Sequence, residues 1–554
     1  MVDKSGDHTE ARTGLSRRSV MKGAAWTVPA LMVATASPAY ALSCVEGQWN
    51  AVGRGKLLSG GLFNVNLDTL ASVNGTIASA PAAVTETGFV HGPGAGGDPD
   101  TYANPLSITA LGAITVNATG LTTTVSQLLG LIASAPDGTG LLNQFGYAQG
   151  NGLSKGASGY VADNGTVRIA PAGGYPQVAS LDLKQLLTPL LGSATTGFLA
   201  NVANLNLDVG AIVGRSIFEQ MCNTAVTPDG YALTREYLVA YLRVALTSPL
   251  IGNVVTAVAD LVPNLVVDTD AVWDILRAVP LLGDVLAALA GEVLTVQVTA
   301  DAGDLVTALT AAPVPDGADQ PISLALGDGT AIIDLYKLLG GAFPGGWSAM
   351  ANSLPANSIL FVDYPLPTDA LATFIADLQQ TIIDRIEDHV SIKISVGNTD
   401  GLLATGILIE GTLRQFLDGT ATAMIKLLGI PLNLGAALGP LLASLGDLVR
   451  GTIFAAGGVV ALALTAVNDL LAALFDALKN VLNLTLNVQN KPEHNNAPAI
   501  ANHRTPWPSR WTTGPQALQV GRYDVAALGV SAVGLLDVLD LYLARGSVGP
   551  HIGR

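Results

Sequence analysis

The sequence predicts an α+β protein, with a β-rich N-terminal part followed by helix-then-strand units packed into mixed sheets. Three observations carry this reading. Between about 42 and 230, short alternating stretches are broken by Gly, Asn and Pro turn signals. Between about 231 and 490, amphipathic helical stretches repeatedly lead into strands of alternating polarity. Across 554 residues, apolar side chains make up 49 % but aromatics only 5 %, and there are 62 glycines. The core is therefore built of Leu, Val, Ile and Ala, with many turns and close backbone approaches.

Residues 1–41 read as an export signal. Arg17-Arg18 precede Ser19-Val20-Met21-Lys22 and an apolar run over 23–36. That run is too short to span a bilayer. Ala39-Tyr40-Ala41 forms a small-residue cleavage site. The paired arginines mark the twin-arginine route, which carries proteins already folded, often because they hold a cofactor. The expected location is extracellular or in the cell envelope.

Residues 42–230 form the β-rich region. "GYVADNGTVRIA" predicts a hairpin turning at Asn164-Gly165, a pair that tolerates positive φ. The Asn-x-Thr triplets at Asn74, Asn117 and Asn164 read as turn chemistry. In the region 231–490, Ala271–Ala290 leads into "LTVQV", Asp369–Asp388 into "VSIKISV", and Ala466–Leu478 into "LTLNVQ". A Pro-Leu-Leu/Ile-Gly phrase recurs at 189–192, 249–252 and 280–283, with proline at helix starts and glycine at helix ends. "LDLKQLL" (181–187) and "IDLYKLL" (333–339) match, and Asp182 and Asp334 are expected to cap the helices that follow. Residues 451–468 carry no charge and reach the lower limit for a membrane span, although the glycines favour a buried helix. Residues 491–510 are a polar, Pro-rich linker or loop, and 511–554 form a C-terminal strand-like segment.

Several phrases in this span, "LDL…LL", "ALTSPLIG", "LTLNVQ" and "ARGSVGP", resemble the actinobacterial choice-of-anchor G surface proteins over most of residues 45–550. The resemblance implies a secreted protein, often attached by a C-terminal anchor. It brings no catalytic residue and no cofactor. No LPXTG motif and no apolar tail with basic stop residues is seen here, so the expectation is release or non-covalent wall association.

The two cysteines, Cys44 and Cys222, read as a disulfide in an oxidising compartment. Its long loop would add about 4–5 kcal/mol in the chain-entropy model. The alternatives are lipidation of Cys44, after Ala41-Leu42-Ser43, or two unpaired thiols. Losing residues 1–41 removes five basic residues (Lys4, Arg12, Arg17, Arg18, Lys22) and three acidic ones (Asp3, Asp7, Glu10), taking the net charge from −16 to −18. Such a chain does not suit nucleic acid or an anionic membrane surface. Membrane contact is expected only if Cys44 is lipidated or residues 451–468 span.

Other chemistry is weakly encoded, and the sequence assigns no catalytic, cofactor-binding or metal-binding residue. Gly152-Leu153-Ser154-Lys155-Gly156 fits G-x-S-x-G, but a hairpin strand rather than a helix follows, so a glycine-rich turn is expected. Gly92–Gly97 fits G-x-G-x-x-G without a following helix. Glu493, His494 and His503 share the linker and could meet around a metal; Asp384, Glu387, Asp388 and His389 end a helix, where Asp384 and Asp388 could form a metal or acid/base pair, with a solvated acidic face as the plain reading. Asp98, Asp100 and Asp400 lie in loops whose oxygens suit calcium but fit no EF-hand. The expected role is an exported, non-enzymatic structural or adhesive protein with an unknown envelope partner. The alternatives are a carrier of an apolar ligand, or a hydrolase with dispersed acids.

Overall fold

A computed structural model describes residues 44–63, 65–106, 111–118, 121–131, 142–168, 174–190, 196–222, 230–261, 265–300, 302–315, 320–340, 352–367, 369–454, 458–490, 511, 517–532 and 538–554. The predicted signal, with Arg17, Arg18, Ala39 and Ala41, lies outside these residues, as do Glu493, His494 and His503.

The first sheet gathers β1 (Trp49–Leu62), β2 (Val65–Asn66), β3 (Gly75–Ala80), β4 (Phe89–His91), β18 (Ser358–Ile359), β23 (Leu482–Gln489), β24 (Tyr523–Ala532), β25 (Leu539–Val548) and β26 (Ile552–Gly553). Its path runs β18-β23-β24-β25-β1-β3-β4, with β2 and β26 pairing with β1. It is mixed, because β3 and β4 are parallel. Strands from the two ends of the chain meet at its centre: Gly53 pairs with Val548 and Leu62 with Leu539.

The second sheet, β13-β12-β9-β8-β5, comprises β5 (Asp100–Ala103), β8 (Asn143–Gln149), β9 (Leu153–Gly159), β12 (Ile212–Met221) and β13 (Gly230–Val239). It lies face to face with the first. Glycine makes this interface unusual. A Cβ added to Gly156 would sit 2.1 Å from the Arg54 carbonyl oxygen and 2.2 Å from that of Ser547. On Gly55 it would meet Ala157 O at 2.1 Å, and on Gly214, Ala544 O at 2.0 Å. Gly53, Gly146 and Gly546 are similarly closed off by facing backbone. The two sheets thus touch backbone to backbone, well inside the roughly 10 Å usual for stacked sheets. Serines from the second sheet use the exposed carbonyls opposite: Ser158 Oγ lies 3.1 Å from Lys56 O and 3.0 Å from Arg545 O, and Ser216 Oγ donates to Gly546 O at 3.1 Å.

The third sheet, β10-β11-β14-β17-β16, is antiparallel and contains β10 (Gln177–Asp182), β11 (Asn204–Gly210), β14 (Leu242–Thr247), β16 (Ile322–Ala325) and β17 (Thr330–Asp334). The fourth, β15-β19-β20-β21-β22, contains β15 (Thr295–Thr299), β19 (Ser391–Gly397), β20 (Gly406–Thr412), β21 (Thr422–Leu427) and β22 (Ile430–Pro431). A ribbon pairs β6 (Thr115–Ala118) with β7 (Leu121–Thr124).

The helices are α1 (Val125–Leu129), α2 (Leu183–Leu187), α3 (Thr196–Ala200), α4 (Pro249–Leu261), α5 (Thr269–Arg277), α6 (Gly283–Ala288), α7 (Ala302–Thr310), α8 (Leu335–Gly340), α9 (Ala370–His389), α10 (Leu413–Leu417), α11 (Leu438–Ile453) and α12 (Val459–Val481). The fold is α+β, as expected. The predicted helix-to-strand units appear: α9 runs into β19 and α12 into β23. The stretch Ala271–Ala290 is not one helix, however. Pro280 cannot continue the hydrogen-bond ladder, and α5 gives way to a 3₁₀ turn at Pro280–Leu282 before α6 and β15.

Asp182 and Asp334 cap as expected. Asp182 accepts from Gln185 N at 2.9 Å, and Asp334 from Tyr336 N and Lys337 N, each at 3.2 Å. Two further copies of the device exist: Thr124 caps α1 and Thr412 caps α10, each with a glutamine completing a capping box. All four follow a strand directly and read cap-apolar-x-Gln/Lys-apolar-Leu.

The other expectations divide. Asn164-Gly165 makes the tight turn, with Gly165 at φ 75° and a bridge between Val161 and Val167. Asn74 ends a 3₁₀ turn, but Asn117 lies within β6. The prolines of the repeated phrase do start elements at 249 and 280; Gly283 caps the end of the 3₁₀ turn Pro280–Leu282 as it opens α6, whereas Gly252 lies in the first turn of α4 and ends no helix. Residues 451–468 do not form one helix: α11 stops at Ile453 and α12 begins at Val459. Among the described residues one helical stretch, Val460–Val481, is long and apolar enough to cross a membrane by length and composition. It packs against α4 and α9, buries Val467, Leu471, Leu474 and Leu478, and carries Leu462 exposed.

Candidate functional site

The site begins in one short stretch, Gly53-Arg54-Gly55-Lys56. Side chains alternate along a strand, so the glycines face the second sheet and Arg54 and Lys56 face the other way. Arg545 and Ser547 on β25, and Asp524 on β24, occupy the matching cross-strand positions: Lys56 pairs with Arg545, Arg54 with Ser547, and Ser547 with Asp524. Segment 82–91 and residues 517–522 cover this face. Between them lies a cavity of about 310 Å³ lined by Arg54, Lys56, Glu86, Phe89, Trp511 and Arg545, among others.

The charges form one connected set. Arg54 Nε donates to Glu86 Oε2 at 2.5 Å, and Arg522 Nη1 donates to the other oxygen of Glu86. Arg522 Nε donates to Asp524 Oδ2 at 3.1 Å, and Arg545 Nε to Asp524 Oδ1 at 2.5 Å. Arg545 Nη1 lies 3.9 Å from Asp68. Lys56 Nζ donates to the carbonyls of Asp68 and Gly88 at 3.1 and 3.2 Å. Aromatic faces complete the walls: Phe89 lies 5.3 Å from Lys56 Nζ, and the Trp511 ring 4.5 Å from the Arg545 guanidinium.

Burial opposes the charge on Asp524, but Arg522 and Arg545 hold its carboxyl below the usual range. Glu86 is held low in the same way by Arg522 and Arg54. Lys56 is pushed down to about 8, first by burial and then by Arg545 and Arg522, with Asp68 opposing. Arg54 falls to about 10 by burial and by the neighbouring Arg522.

Cys44 and Cys222 form a disulfide, with Cα atoms 5.0 Å apart. It ties the segment before β1 to the end of β12, one strand from each face of the sandwich. A sulfur in a disulfide is not free for lipidation, so that alternative is set aside for this arrangement.

Ser154 lies in strand β9, beyond the turn expected for it; the turn itself is made by Gly152 at φ 85°. Its hydroxyl is fully buried and sits 2.7 Å from His551 Nε2. Burial, and then Arg54, push this imidazole down to about 3, so it is neutral at physiological pH. Among the described residues its Nδ1 has no hydrogen-bond partner, so none of their carboxylates orients the ring. The pair is thus a buried seam contact without the third member of a triad. The motif's glycines have structural causes: Gly152 makes the turn and Gly156 lets the facing sheet approach. Gly92–Gly97 turns into β5 and not into a helix.

The acidic group on α9 is ion-paired. Arg414 donates to Asp384 at 2.9 Å and to Asp388 at 2.8 Å, and lies 3.2 Å from Glu387; Arg450 lies 2.9 Å from Glu387. His389 contacts Arg385 O and joins no cluster with them. The group binds α9, α10 and α11 together. Asp98 and Asp100 accept from the backbone of Gly150 and Ser79, and Asp400 sits in a turn held by Asn398. Among the described residues no three His, Cys, Asp or Glu side chains gather as metal ligands. A larger depression of about 680 Å³ includes Arg243, Asp334 and Arg385, but Asp334 caps α8 and pairs with Arg243, and Arg385 donates to the carbonyls at the end of α7.

Sequence reasoning missed the charged cavity. The signal was present in the alternation of glycine with a base in Gly53-Arg54-Gly55-Lys56 and again in Arg545-Gly546, where small and charged faces of one strand differ so sharply. No curated protein and no solved structure matches the chain. The family described as "Domain of unknown function (DUF8394)" matches residues 53–549, a span that begins in β1 and ends one residue beyond its partner strand β25. The chain therefore belongs to the DUF8394 family.

Proposed function

We propose that the chain is an exported protein of the cell envelope or extracellular space, with a structural or adhesive role. The observation that carries this reading is the Cys44–Cys222 disulfide, because such bonds persist in oxidising compartments. The twin-arginine pattern at Arg17-Arg18 and the resemblance to choice-of-anchor G surface proteins point the same way. The sandwich supports a rigid building element: its two sheets leave almost no room between them, and its polar face is tied by ion pairs. The apolar-carrier alternative draws no support from the cavity of about 310 Å³, which is small and lined largely by charged side chains of both signs.

The test is an intact mass of the native protein from medium, wall and membrane fractions. The expected species starts at Leu42, lacks two hydrogens and is found in medium or wall. An uncleaved, fully reduced chain in the cytosol overturns the reading, whereas a species starting at Cys44 with acyl chains keeps the envelope location and replaces the disulfide by a lipid anchor.

A further inference from the structure

The charged cavity carries more positive than negative charge. Arg54, Lys56, Arg522 and Arg545 meet Glu86, Asp524 and Asp68. The surplus charge falls on Lys56; Arg545 is ion-paired to Asp524 and Asp68 but keeps donor capacity. No carboxylate of the described residues comes within 4 Å of Lys56 Nζ, which is 1 % exposed and satisfied by carbonyls alone. Arg545 is 4 % exposed, and its buried Nη2 has no hydrogen-bond partner among the described residues. Buried charge and buried N–H groups normally find partners.

We propose that this cavity takes up one carboxylate group, held by Lys56 and Arg545 between Phe89 and Trp511. A carboxylate supplies the single negative charge, and its planar oxygens suit a guanidinium. A phosphate dianion brings too much charge beside Glu86, Asp68 and Asp524. The aromatic walls suit a flat or apolar body behind the acid. A volume of about 310 Å³ stands at the lower end of small-molecule sites, enough for a free organic acid or for the terminal carboxylate of a peptide. The inference goes beyond the location proposed above and does not depend on it.

The test titrates the disulfide-bonded protein with benzoate, benzamide, inorganic phosphate, and an acetylated dipeptide with a free or an amidated C-terminus, followed by calorimetry and tryptophan fluorescence. Benzoate or the free-acid peptide is expected to bind at least tenfold more tightly than its amide and than phosphate, and the tighter of the two names the source. Lys56→Met is expected to weaken that binding at least tenfold while the protein stays folded. Arg545→Gln should do the same, but it also strips Asp524 of a partner, so Lys56→Met is the deciding variant. Equal binding of acid and amide, binding of neither acid, preference for phosphate, or unchanged affinity in Lys56→Met overturns the proposal.

Discussion

The sandwich and the helix-covered sheets close their faces in opposite ways. Between the first and second sheets, Gly55, Gly156 and Gly214 bring backbone against backbone. Elsewhere, Leu378, Leu445, Leu471 and Leu474 on long helices fill the core with branched side chains. The first kind of contact has no spare volume and is sensitive to any added atom. The second is sensitive to removal. One chain thus reaches close packing in two ways, by backbone contact at glycines and by interlocking apolar side chains.

This difference can be broken at its strongest point. Gly156→Val should cost at least about 5 kcal/mol and prevent folding, because even its Cβ meets two carbonyl oxygens and the sheets must separate; near-native denaturant midpoints for this variant would sink the seam as a structural cause. The complementary change, Leu471→Ala in α12, should cost about 3 kcal/mol by leaving a cavity, read as a lower urea midpoint with little change in slope.

A third experiment separates the regions by pH. Lys56 titrates near 8 in the folded chain against 10.5 ordinarily, with Asp68, Glu86, Arg522 and Arg545 facing it. Between pH 8 and 9.5 the folded chain has released a proton that the unfolded chain keeps, so stability rises with pH by about 2 kcal/mol. Lys56→Met should flatten that rise, whereas Leu471→Ala should leave it intact. The smallest expected effect sharpens the comparison from the helical side: Thr412→Ala should cost about 1 kcal/mol by removing the cap of α10, measured by thermal unfolding.

Legibility in the sequence followed the range of the forces involved. The caps at Asp182 and Asp334 and the turn at Asn164-Gly165 are local and could be read directly. The helix-to-strand units α9–β19 and α12–β23 came from periodicity. The pairing of β1 with β25, and the cavity between them, depends on residues hundreds of positions apart that no local pattern joins. The Ser154–His551 contact was hidden for the same reason. Gly156 was visible as a glycine, but its cause, a facing carbonyl, lies on another sheet.

The pairing at the sandwich centre also sets an order in time. Arg54 donates to Gly549 O, 495 positions further along the chain. At 5–20 residues per second, a ribosome needs about 25–100 s to make that interval. Until then β1 has no β25 beside it, and one of its hydrogen-bonding edges is open. A chain passed through a pore while still extended would meet the same delay on the far side, without the cytosolic chaperones. If the protein is exported as proposed, completing the sheet beforehand would remove the wait.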